Sequence, residues 1–210
     1  MAIRLKICGV TRAEDLAACV ELGVDAIGIN LWAGSRRGLT LVEAAALVRE
    51  LPARGGPERV GVFVNPTPDE VLRAYEALAL DLVQIVSDEP AAPSLALPLP
   101  QLWVVRGTPA QIDLPTPLPR RVLLDAAVPG YGGAGQTTDW AWARCVTRDL
   151  SPRLPVWLAG GITPENAAAA RAAVDPAGLD VASGAELPGA PRGEKDRARI
   201  AALLAACRAL

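Results

Sequence analysis

The 210-residue chain contains no histidine. That excludes imidazole metal ligands, Ser-His-Asp triads and histidine proton relays. Lysine is nearly as scarce: Lys6 and Lys195 are the two in the sequence, and the remaining positive charge is arginine. The four cysteines, Cys8, Cys19, Cys145 and Cys207, lie far apart with no CxxC pair, so zinc-ribbon and dithiol-redox spacing is missing. No basic stripe accompanies the formal net charge of -2, which argues against a nucleic-acid partner. No apolar run approaches the roughly 18 residues of a membrane span, so no membrane partner is expected. Met1 leads directly into a strand pattern without a secretory n-region and h-region; the expected location is the cytoplasm, with thiols reduced.

What is present is a repeating alternation. Short apolar runs at 3–8 (IRLKIC), 25–32, 59–65, 81–86, 101–107, 120–127, 154–161 and 179–184 read as strands. Helical patterns follow at 11–23, 40–51, 67–78, 138–150, 163–174 and 194–210. Thr11 and Glu14 have capping-box spacing at the first helix, and Pro68 suits the first position of the third. After the fourth and fifth strands, the proline-rich stretches 87–100 and 108–119 predict short or irregular helices. Strands alternating with helices imply a parallel sheet, and near-continuous apolar strands imply that both faces are covered. Eight units in this length predict an α/β fold, a single (β/α)8 TIM barrel over residues 1–210. A doubly wound sheet is the alternative; periodicity does not separate the two, and the unit count favours the barrel.

In such a barrel the chemistry gathers at the C-terminal ends of the strands. Cys8 and Gly9 end the first strand, Ser35, Arg36 and Arg37 follow the second, and Asn65 ends the third. Gln84 and Ser87 lie near the end of the fourth, and Asp125 ends the sixth. Glycine-rich tips follow strands six (130–135), seven (Gly160, Gly161) and eight (Ser183, Gly184). Any one of these is explained by a turn; three together favour a phosphate site built from backbone N–H groups. The GxGxxG match at 130–135 is not a dinucleotide fingerprint, because it follows the sixth strand and no acid ends a strand some 20 residues later. Arg36 or Arg37 suits a carboxylate held by a guanidinium fork, although either could equally be a solvated surface arginine.

Cys8 and Asp125 would face each other across the barrel mouth. A thiolate can remove a proton and a carboxylic acid can deliver one, which is acid–base catalysis without metal or cofactor. Composition alone favours a buried, inert Cys8; Asp125 has the stronger case, since an acid ending an apolar strand requires a partner or a function. Cys19, Cys145 and Cys207 fall on helical patterns and read as packing residues.

The motifs KICGVT (6–11), GVFVN (61–65), LDLVQ (80–84), LLD (123–125), GGAGQTTDW (132–140), LAGGITPEN (158–166) and DVASG (180–184) occur in order along nearly the whole chain. In this combination the sequence resembles the phosphoribosylanthranilate isomerase family of tryptophan biosynthesis. The resemblance implies a (β/α)8 barrel performing an Amadori rearrangement of N-(5'-phosphoribosyl)anthranilate. It further implies Asp125 as general acid and Cys8 as general base, with Arg37 holding the anthranilate carboxylate. The phosphate would lie on N–H groups around Gly133, Gly135, Gly160, Gly161, Ser183 and Gly184. The implied partner is this small phosphorylated substrate, and the implied assembly is a monomer or homodimer.

Three departures from the family pattern stand out. The chain has QIVS at 84–87 where the family has QLHG, and Ala182 replaces a serine. The segment 186–196 carries extra residues. The alternatives are a histidine-pathway aminoaldose isomerase, whose family places aspartate where this chain has Cys8, and a catalytically silent phosphate-binding barrel.

Overall fold

The computed structural model describes residues 2–51, 55–127, 137–189 and 193–209. Eight strands run along them: β1 (Arg4–Cys8), β2 (Ala26–Asn30), β3 (Glu58–Val64), β4 (Leu82–Val86), β5 (Leu102–Arg106), β6 (Arg121–Asp125), β7 (Val156–Leu158) and β8 (Gly178–Val181). All pairings are parallel, in the order β4-β3-β2-β1-β8-β7-β6-β5. The ends of that order meet through a parallel bridge between Val83 and Gln101, with the Val83 N–H donating to the Pro100 carbonyl at 3.0 Å. The sheet is thus a nearly closed barrel.

Six α-helices are described: α1 (Ala13–Leu22), α2 (Leu41–Val48), α3 (Pro68–Ala77), α4 (Trp140–Leu150), α5 (Ala167–Val174) and α6 (Arg197–Arg208). Capping boxes start α2 and α3, where Thr40 pairs with Glu43 and Thr67 with Glu70. The box expected at Thr11 does not form. Arg12 is the N-cap of α1, and its guanidinium draws Glu14 away at 3.3 Å and reaches Glu194 at 2.7 Å. Between β4 and β5 a single 3-10 turn, Pro93–Ala96, replaces a helix, and no helix lies in the described stretch between β5 and β6. Proline removes the N–H donors that a longer helix would need there.

The period-two alternation of strands sorts side chains between two layers. Leu5, Ile7, Ile27 and Ile29 face the helices, while Ala26, Val60, Leu82, Leu102, Leu123 and Trp157 form a separate cluster inside the barrel. Trp157 is buried at the N-terminal end, its ring 4.9 Å from the Arg121 guanidinium and 5.8 Å from that of Arg4. Gly178 makes room for it: a Cβ there would lie 2.6 Å from the indole. Glu58 ties Arg4 and Arg121 together, at 3.3 and 2.7 Å. One end of the barrel is therefore plugged, and the opposite end is left for a site.

Candidate active site

Arg4, Lys6 and Cys8 share the inward face of β1. Lys6 is fully buried, and its Nζ donates to Asp180 of β8 at 2.7 Å and to Gln84 of β4 at 2.9 Å. These strands are not neighbours, so the ammonium bridges the barrel interior. Cys8 stands one step above it, half-buried. Two glycines make room here, one for Cys8 and one for Arg37. A Cβ on Gly28 would lie 2.7 Å from the Cys8 Sγ, and one on Gly9 (φ +70°) would lie 2.3 Å from Cδ of Arg37.

Asp125 ends β6, three strands around the barrel from β1, and its Oδ1 accepts the Ala126 N–H at 2.8 Å. Burial, reinforced by the charge of Asp180, pushes its pKa up to about 6, against the opposing pull of the Ala126 N–H, Arg106 and Lys6. Burial also raises the Cys8 thiol, although Lys6, Lys195 and Arg37 each favour the thiolate. Burial works against the Lys6 ammonium, but Asp180 and Cys8 outweigh it and hold its pKa above the ordinary lysine value. The acid and the thiol are thus coupled through one buried ion pair, Lys6–Asp180.

The glycine tips after β7 and β8 meet. Gly160 and Gly161 have φ of +87° and +62°, which side chains disfavour. A Cβ on Gly184 would lie 1.9 Å from the Ile162 carbonyl oxygen, so the two loops touch backbone to backbone. Asn166 pins the seventh loop, accepting the Thr163 N–H and donating to the Gly161 carbonyl, each at 2.8 Å. Among the described residues, no backbone carbonyl accepts from the N–H groups of Gly160, Gly161, Ser183 or Gly184. Gly133 and Gly135 lie outside the described residues.

Arg37 is buried, unlike Arg36 beside it. Its Nε donates to Oε1 of Glu186 at 2.5 Å, and Nη2 has no hydrogen-bond partner among the described residues. Glu186 also accepts from Arg36 through Oε2 and from Lys195 Nζ through Oε1, the latter at 3.1 Å. Burial alone would raise the Glu186 carboxyl; Arg37 and Lys195 hold it below the usual carboxylate range. Lys195 donates in addition to the Ala182 carbonyl at 3.1 Å.

Sequence reasoning missed this second cluster and the Lys6–Asp180–Gln84 network. The available signal was Lys6, two residues before Cys8 and on the same strand face; Lys195 lies far from every candidate residue in the sequence and gave none. Gln84 serves that network, and Ser87 is engaged in a turn with Glu89. Cys19 and Cys207 are packed as expected, whereas Cys145 is exposed: α4 buries Ala143 and Thr147 and turns the thiol outward.

The fold, with ionisable groups and glycine loops gathered at its open end, defines a (β/α)8-barrel enzyme. The family model for N-(5'-phosphoribosyl)anthranilate isomerase matches residues 5–206. The isomerase of that name from Myxococcus xanthus (strain DK1622) is 40% identical over 209 residues, covering 96% of both chains. The crystal structure of phosphoribosyl anthranilate isomerase from Thermotoga maritima superposes with a TM-score of 0.81 at 32% identity, covering 99% of this chain and 100% of that one. A crystal structure of phosphoribosyl anthranilate isomerase in complex with reduced 1-(o-carboxyphenylamino)-1-deoxyribulose 5-phosphate gives a TM-score of 0.76 at 28% identity, covering 99% of this chain and 100% of that one. The chain belongs to the N-(5'-phosphoribosyl)anthranilate isomerase family, enzymes of tryptophan biosynthesis.

Proposed function

We propose that the chain converts N-(5'-phosphoribosyl)anthranilate to 1-(2-carboxyphenylamino)-1-deoxyribulose 5-phosphate, with Asp125 as general acid and Cys8 as general base. The observation that carries the reading is Asp125, a strand-end acid held up to about pKa 6 and linked to Cys8 through Lys6–Asp180. A carboxyl with that pKa retains a usable protonated fraction near neutrality.

Asp125 donates its proton to the furanose ring oxygen as the C1'–O bond breaks and the nitrogen lone pair forms a protonated Schiff base. The Cys8 thiolate then removes the C2' proton, whose bonding electrons move into C1'=C2' and neutralise the iminium. The resulting enolamine loses its O2' proton and gains one at C1' to give the ketone. The iminium acidifies C2', so a thiolate is a sufficient base once formed.

Arg37 takes the anthranilate carboxylate through its open Nη2 edge. The N–H groups of Gly160, Gly161, Ser183 and Gly184 take the phosphate, with Gly133 and Gly135 contributing by resemblance; that anchor positions carbons remote from it. A neighbouring structure that holds a reduced 5-phosphate compound supports a phosphorylated small molecule as the ligand. The proposed partner is this small phosphorylated molecule, and the cytoplasm supplies the reduced thiol this base requires.

The test follows the fluorescence of phosphoribosylanthranilate, formed in situ, with the purified protein and with Cys8→Ser and Asp125→Asn. The expected result is rapid loss of signal with the unaltered chain, slowed about 10²–10⁴-fold in each variant. Tight binding without turnover in the unaltered chain would overturn the enzymatic reading in favour of a silent phosphate-binding barrel.

A further inference from the structure

We infer that Glu186 is a positioning residue that selects for substrates carrying an aromatic carboxylate, acting through Arg37. The inference rests on the proposed role of Arg37 and adds what makes that arginine selective. A free arginine side chain has many rotamers and offers its fork in any direction. Here the stem is trapped: Gly9 lies so close that a Cβ would fall 2.3 Å from Arg37 Cδ, and one on Gly193 would fall 3.0 Å from Arg37 Cγ. The Nε edge is then taken by Glu186 at 2.5 Å. With stem and Nε fixed, Nη2 is buried and left without a partner.

A buried unpaired guanidinium donor is costly, and a ligand carboxylate removes that cost. A ligand without the carboxylate leaves the donor unpaired, so discrimination comes from the site as well as from the ligand. Glu186 is itself over-supplied with cations, since Arg36, Arg37 and Lys195 all point at it. Its charge is therefore balanced without drawing on Nη2. Lys195 extends the frame to the Ala182 carbonyl, beside the Ser183–Gly184 turn. The carboxylate grip and one wall of the phosphate loop share a single scaffold.

The test uses two stable probes that differ only in the carboxylate, the borohydride-reduced adducts of ribose 5-phosphate with anthranilate and with aniline. Calorimetric titration of the unaltered protein should show at least a tenfold preference for the anthranilate adduct. In Glu186→Ala that ratio should fall to within about twofold, because the anthranilate adduct loses several-fold more affinity than the aniline adduct. Glu186→Gln, whose amide oxygen still accepts from Nε, should fall between them and guards against a variant that fails to fold. Turnover of phosphoribosylanthranilate by Glu186→Gln should show a raised KM with kcat changed by less than about threefold, because Cys8 and Asp125 are untouched. Equal weakening of both adducts would make Glu186 merely structural and overturn the inference. So would a preference that survives intact in Glu186→Ala. A lack of preference in the unaltered protein would remove the Arg37 role and this inference with it, whereas turnover failing while the preference stands would remove only the proposed reaction.

Discussion

Asp125 and Cys8 are displaced in the same direction by burial, and for an acid and a base this has opposite consequences. The acid is brought toward neutrality, and the base is held in its thiol form. The reactive state, carboxyl protonated and thiol ionised, is then the minor tautomer of the singly ionised pair. Its population is constant between the two pKa values and falls outside them. The kcat/KM profile should rise to a limb near pH 6, run flat, and fall only above the ordinary thiol range. A steady rise through that range would contradict the assignment. The same shift has a cost in stability. Because the folded pKa of about 6 lies above the ordinary 3.8, the proton on Asp125 stabilises the fold at low pH, and that contribution is lost as pH rises from about 4 to 6. Asp125→Asn removes the loss. Denaturant unfolding should show the variant gaining up to about 3 kcal/mol on the parent between acid and neutral pH, while its turnover collapses.

At the scale of elements, most strands were legible because a strand covered on both faces reads as an apolar run, as VGVFV (60–64) and LWVV (102–105) do. IRLKIC instead alternates, with Arg4 and Lys6 on its inward face. The tip residues Cys8, Asp125, Gly160 and Gly161 were legible for the same reason: polarity and glycine resume where a strand ends. The start of α1 was not. Thr11 and Glu14 satisfy a local rule, but Arg12 is the N-cap, and its guanidinium, which also pairs with the sequence-distant Glu194, engages Glu14. The Lys6–Asp180 and Arg37–Glu186 pairs were illegible because each joins elements about 150 residues or more apart. Spacing along one helix or strand carries no record of such a pairing. The meeting of the seventh and eighth loops yields a prediction of its own. Gly184→Ala forces a methyl against the Ile162 carbonyl and must separate the loops. Its expected effect is a destabilisation of about 1–3 kcal/mol and a KM raised more than kcat is lowered. Thermal unfolding and steady-state kinetics with phosphoribosylanthranilate check both.

For the whole molecule, the barrel interior is built in tiers: an ion-bound tryptophan plug at one end, a small apolar cluster, and the Lys6–Asp180–Gln84 bridge under the open mouth. The bridge is the tier where a single change is felt by every strand around it. Lys6→Met would leave Asp180 buried without its cation, with Oδ1 already unpartnered, and should cost about 3–5 kcal/mol in urea unfolding. Lys6→Met paired with Asp180→Leu should recover most of that loss, since an apolar pair of similar volume avoids the uncompensated charge.

Both lysines of the chain lie inside: Lys6 is bridged across the barrel, and Lys195 is enclosed against Glu186 and Ala182. The exterior cations are arginines, which acylating reagents do not attack at neutral pH. Both lysine amines of the native molecule are thus shielded, and an activated ester should leave them unlabelled. Two lysine adducts should appear by intact-mass spectrometry only when the barrel opens. Their rate of appearance is a clock for that opening, read without any fluorophore, substrate or mutation.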